Sequence, residues 1–287
     1  VRPFDKDNVS RNSAHCLIAA WDLSGWMPLP PAERCRRCGH PNTIDLASPL
    51  WSGLAGQEPD GIPMTELGSF PEYVPDALPA DRLAEWRAAI VDGIASPPHE
   101  GRSRSSKSFS FLLTSGGPLL ELAEALLRGF VSGPMHQRAM QLFGPDYLFL
   151  LDNCSIRRHV SQDASSTIAM HFDGMFLGSE PAVNFWVPLD TVGDTLPGLN
   201  FCSNKAVEAA MWKMLCSAQE RVGWASVDPD ALERLIPQGV KDQLANLLTT
   251  PQVEAGHCLL FSSGTLHATQ TCPDWQGDRV SIEFRIA

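Results

Sequence analysis

Two side chains able to ligate a metal stand at alternate positions in His171-Phe172-Asp173. On an extended strand, residues i and i+2 project from the same face, so a single ion can be gripped by both. Eight histidines and 19 aspartates in 287 residues give 8 × 19/287, about half a His-x-Asp expected by chance, so the pair needs a third ligand before it carries meaning. His267 ends the run Gly256-His257-Cys258-Leu259-Leu260-Phe261-Ser262-Ser263-Gly264-Thr265-Leu266-His267, an order of glycine, apolar strand, turn and histidine that would deliver a ring nitrogen from another strand. Two histidines and one carboxylate can hold one face of an octahedral ferrous ion and leave three positions open for a co-substrate and dioxygen. Beyond His267, Arg279-Val280-Ser281 repeats the i, i+2 spacing. A guanidinium backed by a hydroxyl suits a carboxylate, held by paired charge-assisted hydrogen bonds.

The elements expected to position these residues lie from about 146 to 287, where short segments rich in β-branched and aromatic residues alternate with turn residues. Strands are predicted over 147–151, 155–160, 167–172, 182–189, 199–202, 257–261, 265–269 and 279–286. Strands in succession with few helices between them imply an antiparallel sandwich or barrel rather than a doubly wound sheet. One stretch, 204–250, is helical in pattern and reads as an insertion beside the site, with helices expected over 206–212, 230–235 and 240–248. Residues 81–145 carry helix signals: Asp81 as a cap before Leu83, Trp86 and Ile90, Pro118 opening a helix through Leu119, Leu122, Leu126 and Phe130, and a third helix from Pro134 to Phe143. Residues 1–80 show no sustained period and read as a wrapping or lid segment, so one catalytic domain is expected overall.

Composition narrows the possible partners. Hydrophobic residues make up 44% and charged residues 19%, enough for a full core and too little charge for an extended disordered chain. The net charge of −11, with no basic tract, argues against nucleic acid. No run approaches the roughly 18–20 apolar residues that span a bilayer. The first residues contain no apolar signal core, and the expected location is the cytoplasm, with the eight cysteines mostly reduced and buried. Cys35-Arg36-Arg37-Cys38 is spaced like half a zinc site, but apart from Cys16 the other half is missing, and an arginine-rich turn is the expectation.

Five blocks in order resemble the phytanoyl-CoA dioxygenase family of iron(II)/2-oxoglutarate oxygenases: His171-Phe172-Asp173-Gly174, Asn184 through Asp190, Pro197-Gly198-Leu199 with Ser203-Asn204-Lys205, Gly256 through His267, and Arg279-Val280-Ser281. The resemblance covers roughly 145–287. It implies an α+β, mainly β protein whose core is a double-stranded β-helix (jelly-roll, cupin-like), with N-terminal helices and a helical insertion. It also implies Fe(II) held by His171, Asp173 and His267, with 2-oxoglutarate chelating the metal and its distal carboxylate on Arg279, assisted by Ser281. Thr269 matches a position near the co-substrate, and Trp186 a recurrent tryptophan expected to wall the same pocket. The implied activity is hydroxylation or desaturation of a small organic substrate with O2, coupled to conversion of 2-oxoglutarate to succinate and CO2. Asp173 favours these over halogenation, for which related enzymes carry a small residue there. The segment after the fourth strand, Phe201-Cys202-Ser203-Asn204-Lys205, departs from the family's usual Pro-Gly-Ser-His, which bears on the substrate side.

Other classes remain in play: a non-catalytic cupin-like metal- or ligand-binding protein, and a metal-dependent hydrolase on the same barrel. His15, His40, His99, His136, His159 and His257 are expected to be ordinary core or surface residues, with His159 and His257 able to lie near the mouth. Arg157-Arg158 reads as a solvated strand end, the alternative being contact with an anionic substrate or co-substrate. If Arg279 instead faces Asp278 or Glu283 at a sheet edge, Arg285, in step on the same strand, is the substitute anchor.

Overall fold

Alternation along the last strand sets the architecture. In β11 (Arg279–Ile286), Val280, Ile282, Phe284 and Ile286 alternate with Arg279, Ser281, Glu283 and Arg285, yet all eight are buried. A strand can bury both sets only if one face packs on an apolar layer and the other closes over a polar cavity. The computed structural model of the chain describes residues 17–19, 71–94, 106–159, 167–174, 182–204, 206–208, 244–271 and 277–287.

Among the described residues there are two antiparallel sheets and a helical layer. The larger sheet runs β1 (Leu17–Ala19), β4 (Leu148–Leu150), β11, β6 (Val183–Pro188), β9 (Cys258–Ser262), β2 (Glu72–Val74); β5 (Ser155–His159) also pairs with β11, and β3 (Ser106–Ser108) with β5. The smaller sheet is β10 (His267–Thr269), β7 (Leu199–Cys202), β8 (Leu248–Thr249), extended by a bridge between His171 and His267. Trp186, Leu259 and Phe261 of the larger sheet pack against Leu199 and Phe201 of the smaller, so the two face one another. On the other side of the larger sheet lie α1 (Leu83–Ile94), α2 (Phe109–Ser115), α3 (Gly117–Ser132) and α4 (Pro134–Phe143).

The helices begin where the local chemistry favours them. Prolines stand in the first turns of α3 and α4, where a missing N–H costs nothing. Ser108 caps α2 by accepting from the Phe111 N–H at 3.3 Å. Asp81, expected as a cap, sits instead inside a 3-10 turn (Ala80–Arg82) that leads into α1. The stripe of α3 predicted from spacing, Leu122, Leu126 and Phe130, is buried against Phe149, Phe185, Ile282 and Phe284. Phe130 stands edge-on to Phe149, Phe185 and Phe284 with centroids 4.9, 5.0 and 5.1 Å away. Phe130→Ala is expected to cost about 3–5 kcal/mol, read as a lower denaturant midpoint at unchanged slope.

Three expectations are corrected. Of the strand predicted over 167–172, only His171 forms a bridge to β10; Ile168 accepts from the Thr269 N–H at 2.9 Å but gives its own N–H to the Thr269 hydroxyl, so the ladder does not continue. Residues 248–249, expected at the end of a helix, form β8 by pairing with Cys202 and Phe201. The short strands β1, β2 and β3 and helix α2 were not anticipated; three-residue edge strands carry too little pattern to stand out. The proposed Cys35/Cys38 turn, with Cys16, His15, His40 and His99, and the helices expected over 230–235 and most of 206–212 and 240–248 lie outside the described residues. The described thiols, Cys154, Cys202 and Cys258, form no disulfide among the described residues and are buried. No helix among the described residues is long and apolar enough to cross a membrane.

Candidate active site

The pairing of β10 brings the two histidines together. His171 and His267 exchange backbone hydrogen bonds of 2.9 and 3.0 Å, and their rings lie 4.3 Å apart. Each Nδ1–H donates to a carbonyl two residues earlier, His171 to Ala169 at 2.7 Å and His267 to Thr265 at 2.9 Å. Those bonds fix the tautomer and leave each Nε2 with a free lone pair, the arrangement a metal-binding histidine needs. Both lone pairs point at one carboxylate: Nε2 of His171 is 3.5 Å from Oδ1 of Asp173, and Nε2 of His267 is 3.6 Å from Oδ2. The three ligand atoms lie within 4.8 Å of one another, and all three residues are buried. Adjacent ligands at about 2.1 Å from an ion stand roughly 3 Å apart, so this set fits a divalent cation after a small contraction.

The electrostatics suit the same role. Burial opposes ionisation of Asp173, but Arg285, with His267 and His171, outweighs it and holds the carboxyl well below its usual range. Burial, with His171 beside it, lowers His267 to about 4 against the pull of Asp173, so it is neutral at pH 7. Asp173 is anchored from behind: Oδ1 accepts from Nη2 of Arg285 at 2.9 Å, and Oδ2 from Nδ2 of Asn184 at 2.6 Å. Arg285 also donates to Oδ1 of Asn184 at 2.8 Å and to Oε1 of Glu283 at 2.9 Å. Arg285→Gln leaves two buried carboxylates without their cation, and we expect it to destabilise the metal-free protein by about 3–5 kcal/mol at neutral pH. Because the folded Asp173 is depressed, this stabilisation is full above the ordinary carboxylate range and fades as pH falls through the folded value. Thermal melts of both proteins at pH 7 and at successively lower pH check it.

The cavity beside the triad has a volume of about 260 Å³ and is walled by Arg279, Trp186, Thr269, Leu199 and His159 at one end. Arg279 is 1% exposed, and its Nη1 donates to the carbonyls of Pro197 and Gly198 at 3.0 and 3.1 Å. Its Nε, also buried, has no hydrogen-bond partner among the described residues. A buried donor left without a partner costs on the order of 1–3 kcal/mol, which fits a group whose partner is a ligand. Burial and the neighbouring Arg157 push its pKa down to about 9, leaving it charged at neutral pH. Trp186 lies under the guanidinium, 5.4 Å from ring centroid to Cζ. The Oγ1 of Thr269 accepts from the N–H of Ile168 at 3.0 Å. Ser281 is buried on the same face of β11, but it is not among the cavity walls.

Other residues fall into place around them. Arg279 does not sit at a sheet edge facing Asp278 or Glu283, and the substitute anchor, Arg285, is committed to Asp173. His136 and His257 hydrogen-bond the hydroxyls of Tyr147 and Tyr73, each at 2.7 Å, as ordinary residues do. His159 lines the cavity, and burial, reinforced by Arg279 and Arg157, keeps it neutral. The strand end Arg157-Arg158 is not solvated on both sides: Arg158 pairs with Asp278, with Nε donating to Oδ2 at 2.7 Å, whereas Arg157 turns into the cavity. Asn184 and Glu283 were not singled out as site residues in the sequence, and Arg157 only in the alternative reading of its strand end, contact with an anionic substrate or co-substrate. The signal was there in strand parity, since 184 is in step with Trp186 and 283 with Arg279.

No family profile and no curated protein sequence matches this chain. Solved structures do. The 2-oxoglutarate-dependent epimerase SnoN from nogalamycin biosynthesis is 15% identical with a TM-score of 0.46, covering 76% of this chain and 77% of its own. The carbocyclase SnoK from the same biosynthesis is 11% identical with a TM-score of 0.47, covering 81% and 84%. HygX from Streptomyces hygroscopicus, solved with nickel and 2-oxoglutarate, is 15% identical with a TM-score of 0.43, covering 76% and 82%.

Proposed function

We propose that the chain is a non-haem iron(II), 2-oxoglutarate-dependent oxygenase of a small organic substrate, with the two facing sheets forming a double-stranded β-helix of the phytanoyl-CoA dioxygenase type. The observation that carries the reading is the conjunction in one cavity of two features. Two tautomer-fixed histidines aim at one buried carboxylate, and a buried arginine in the same cavity keeps an unpartnered Nε. A triad alone would serve a hydrolase as well. A dicarboxylate anchor beside it has no use in water activation.

In this reading His171, Asp173 and His267 hold Fe(II), and Arg279 takes the distal carboxylate of 2-oxoglutarate. Thr269, Trp186 and Leu199 wall that end, and Ser281 supports the strand beneath. The bound metal and 2-oxo acid supply oxygen activation and C–H oxidation, with O2 as the oxidant and succinate and CO2 as co-products. The chain's own residues do the rest. The Ala169 and Thr265 carbonyls keep the imidazoles from turning away, and Arg285 with Asn184 fixes the rotation of the Asp173 carboxylate. Trp186 and Leu199 shield the Arg279 end from water, which strengthens each charged contact made there.

The test is an anaerobic titration of the protein with Fe(II) and 2-oxoglutarate, watching for the weak visible charge-transfer band of a chelated 2-oxo acid. Its appearance, with succinate formed once air is admitted, is the expected result. Iron binding without the band returns the site to the hydrolase or ligand-binding readings.

A further inference from the structure

The cavity continues past the triad and Arg279 along β5, where Ser155 and Arg157 project between Ser106 and Ser108 of β3 and Glu283 of β11. Arg157 is the outlier in this group. Register places it opposite Ser281, two positions along from the Arg279–His159 pair and on the same face. Its guanidinium makes no hydrogen bond to the described residues, and its nearest carboxylate oxygen is Oε2 of Glu283 at 3.8 Å. Glu283 is already committed to Arg285 at 2.9 Å and to the Ser155 hydroxyl at 3.3 Å. With its side chain 21% exposed, its donors stay open to the cavity, where an incoming anion could take a bidentate charge-assisted contact.

Two of the three acidic walls are already engaged, Asp173 and Glu283 both pairing with Arg285, and the third, Asp152, stands on the turn between β4 and β5.

We propose that Arg157 anchors a carboxylate of the primary substrate, which is therefore a small organic acid, lying between β3 and β5 with Ser106, Ser108 and Ser155 as hydrogen-bonding partners for its polar groups. This rests on the oxygenase reading above. A bidentate guanidinium–carboxylate contact beside the metal would fix which C–H bond faces the oxidising centre.

The experiment uses the full chain loaded with 2-oxoglutarate and Zn(II) in place of Fe(II), which keeps the sample diamagnetic. Binding of three acid/amide pairs (benzoate and benzamide, 3-phenylpropionate and its amide, hexanoate and hexanamide) is measured by ligand-observed NMR in wild type, Arg157→Gln and Arg157→Lys. The wild type is expected to bind at least one acid about tenfold or more tightly than its amide, Arg157→Gln to lose that preference, and Arg157→Lys to keep part of it. In the anaerobic Fe(II) titration, Arg157→Gln is expected to hold 2-oxoglutarate within about threefold of wild type. No acid preference in wild type, or one retained in Arg157→Gln, overturns the proposal. A tenfold loss of 2-oxoglutarate affinity in Arg157→Gln also overturns it, because the carboxylate at Arg157 is then the co-substrate's. Absence of the charge-transfer band in the wild type is a different failure, that of the oxygenase reading itself.

Discussion

His267→Ala is expected to weaken Fe(II) binding by well over a hundredfold and to abolish succinate formation, while leaving the protein folded. Loss of a group that merely orients a metal ligand already costs about 10–100-fold in affinity, and His267 is placed to supply the ligand atom itself. Its ring also stacks on Phe201 at 6.0 Å and meets Phe261 at a tilt at 4.8 Å between centroids, so truncation opens a small void. The β10–β7 ladder runs through backbone atoms and is kept. Calorimetric Fe(II) or Mn(II) titration, with circular dichroism as the fold control, separates the two effects. A variant that binds metal as wild type does would remove the triad assignment.

The triad was legible from its spacing, although only His171 of the first pair joins the sheet and Asp173 lies in the turn after it. His171 and Asp173 are i and i+2, and His267 closes a run whose glycine, Gly256, adopts φ 81°, where an added Cβ would meet Leu83 at 2.8 Å. Arg279 was legible for the same reason, at the head of an eight-residue strand alternating polar with apolar. What escaped notice were contacts made between elements distant in sequence. Arg285 reads as a spare anchor in β11, and only the fold shows that Asp173, 112 residues earlier, consumes its charge. Arg157-Arg158 reads as a solvated strand end because two adjacent arginines show no partner in the local sequence, whereas Arg158 pairs with Asp278. The two point to opposite faces of β5, and nothing local says that the face of Arg157 is closed by the smaller sheet. Glu208, at the head of the 204–250 segment, is a further case: its carboxylate accepts from the N–H of Leu266 at 2.6 Å, tying that segment to the strand that carries His267. A glutamate in a helical pattern gives no hint of such a partner 58 residues away.

Arg279→Gln is expected to raise the dissociation constant for 2-oxoglutarate roughly thirtyfold to a few thousandfold while leaving metal affinity near wild type. Removing one partner of a buried charged contact costs about 2–5 kcal/mol, and each 1.4 kcal/mol is about tenfold. The size of the effect follows from where the guanidinium sits. Arg279 is fully buried over Trp186, with Nη1 tied to two backbone carbonyls, so no solvent screens the pair and little side-chain entropy is lost when a carboxylate docks. The sharper readout is selectivity. Pyruvate keeps the 2-oxo acid end and lacks the distal carboxylate, so its affinity should change little in Arg279→Gln, collapsing the wild-type preference for 2-oxoglutarate. If both 2-oxo acids weaken in parallel, the substitution has disturbed the metal end through the Pro197–Gly198 turn instead, and the distal carboxylate must be held elsewhere. In that event Arg157 is the cation left in the cavity to hold it, and the same titration repeated on Arg157→Gln decides between them.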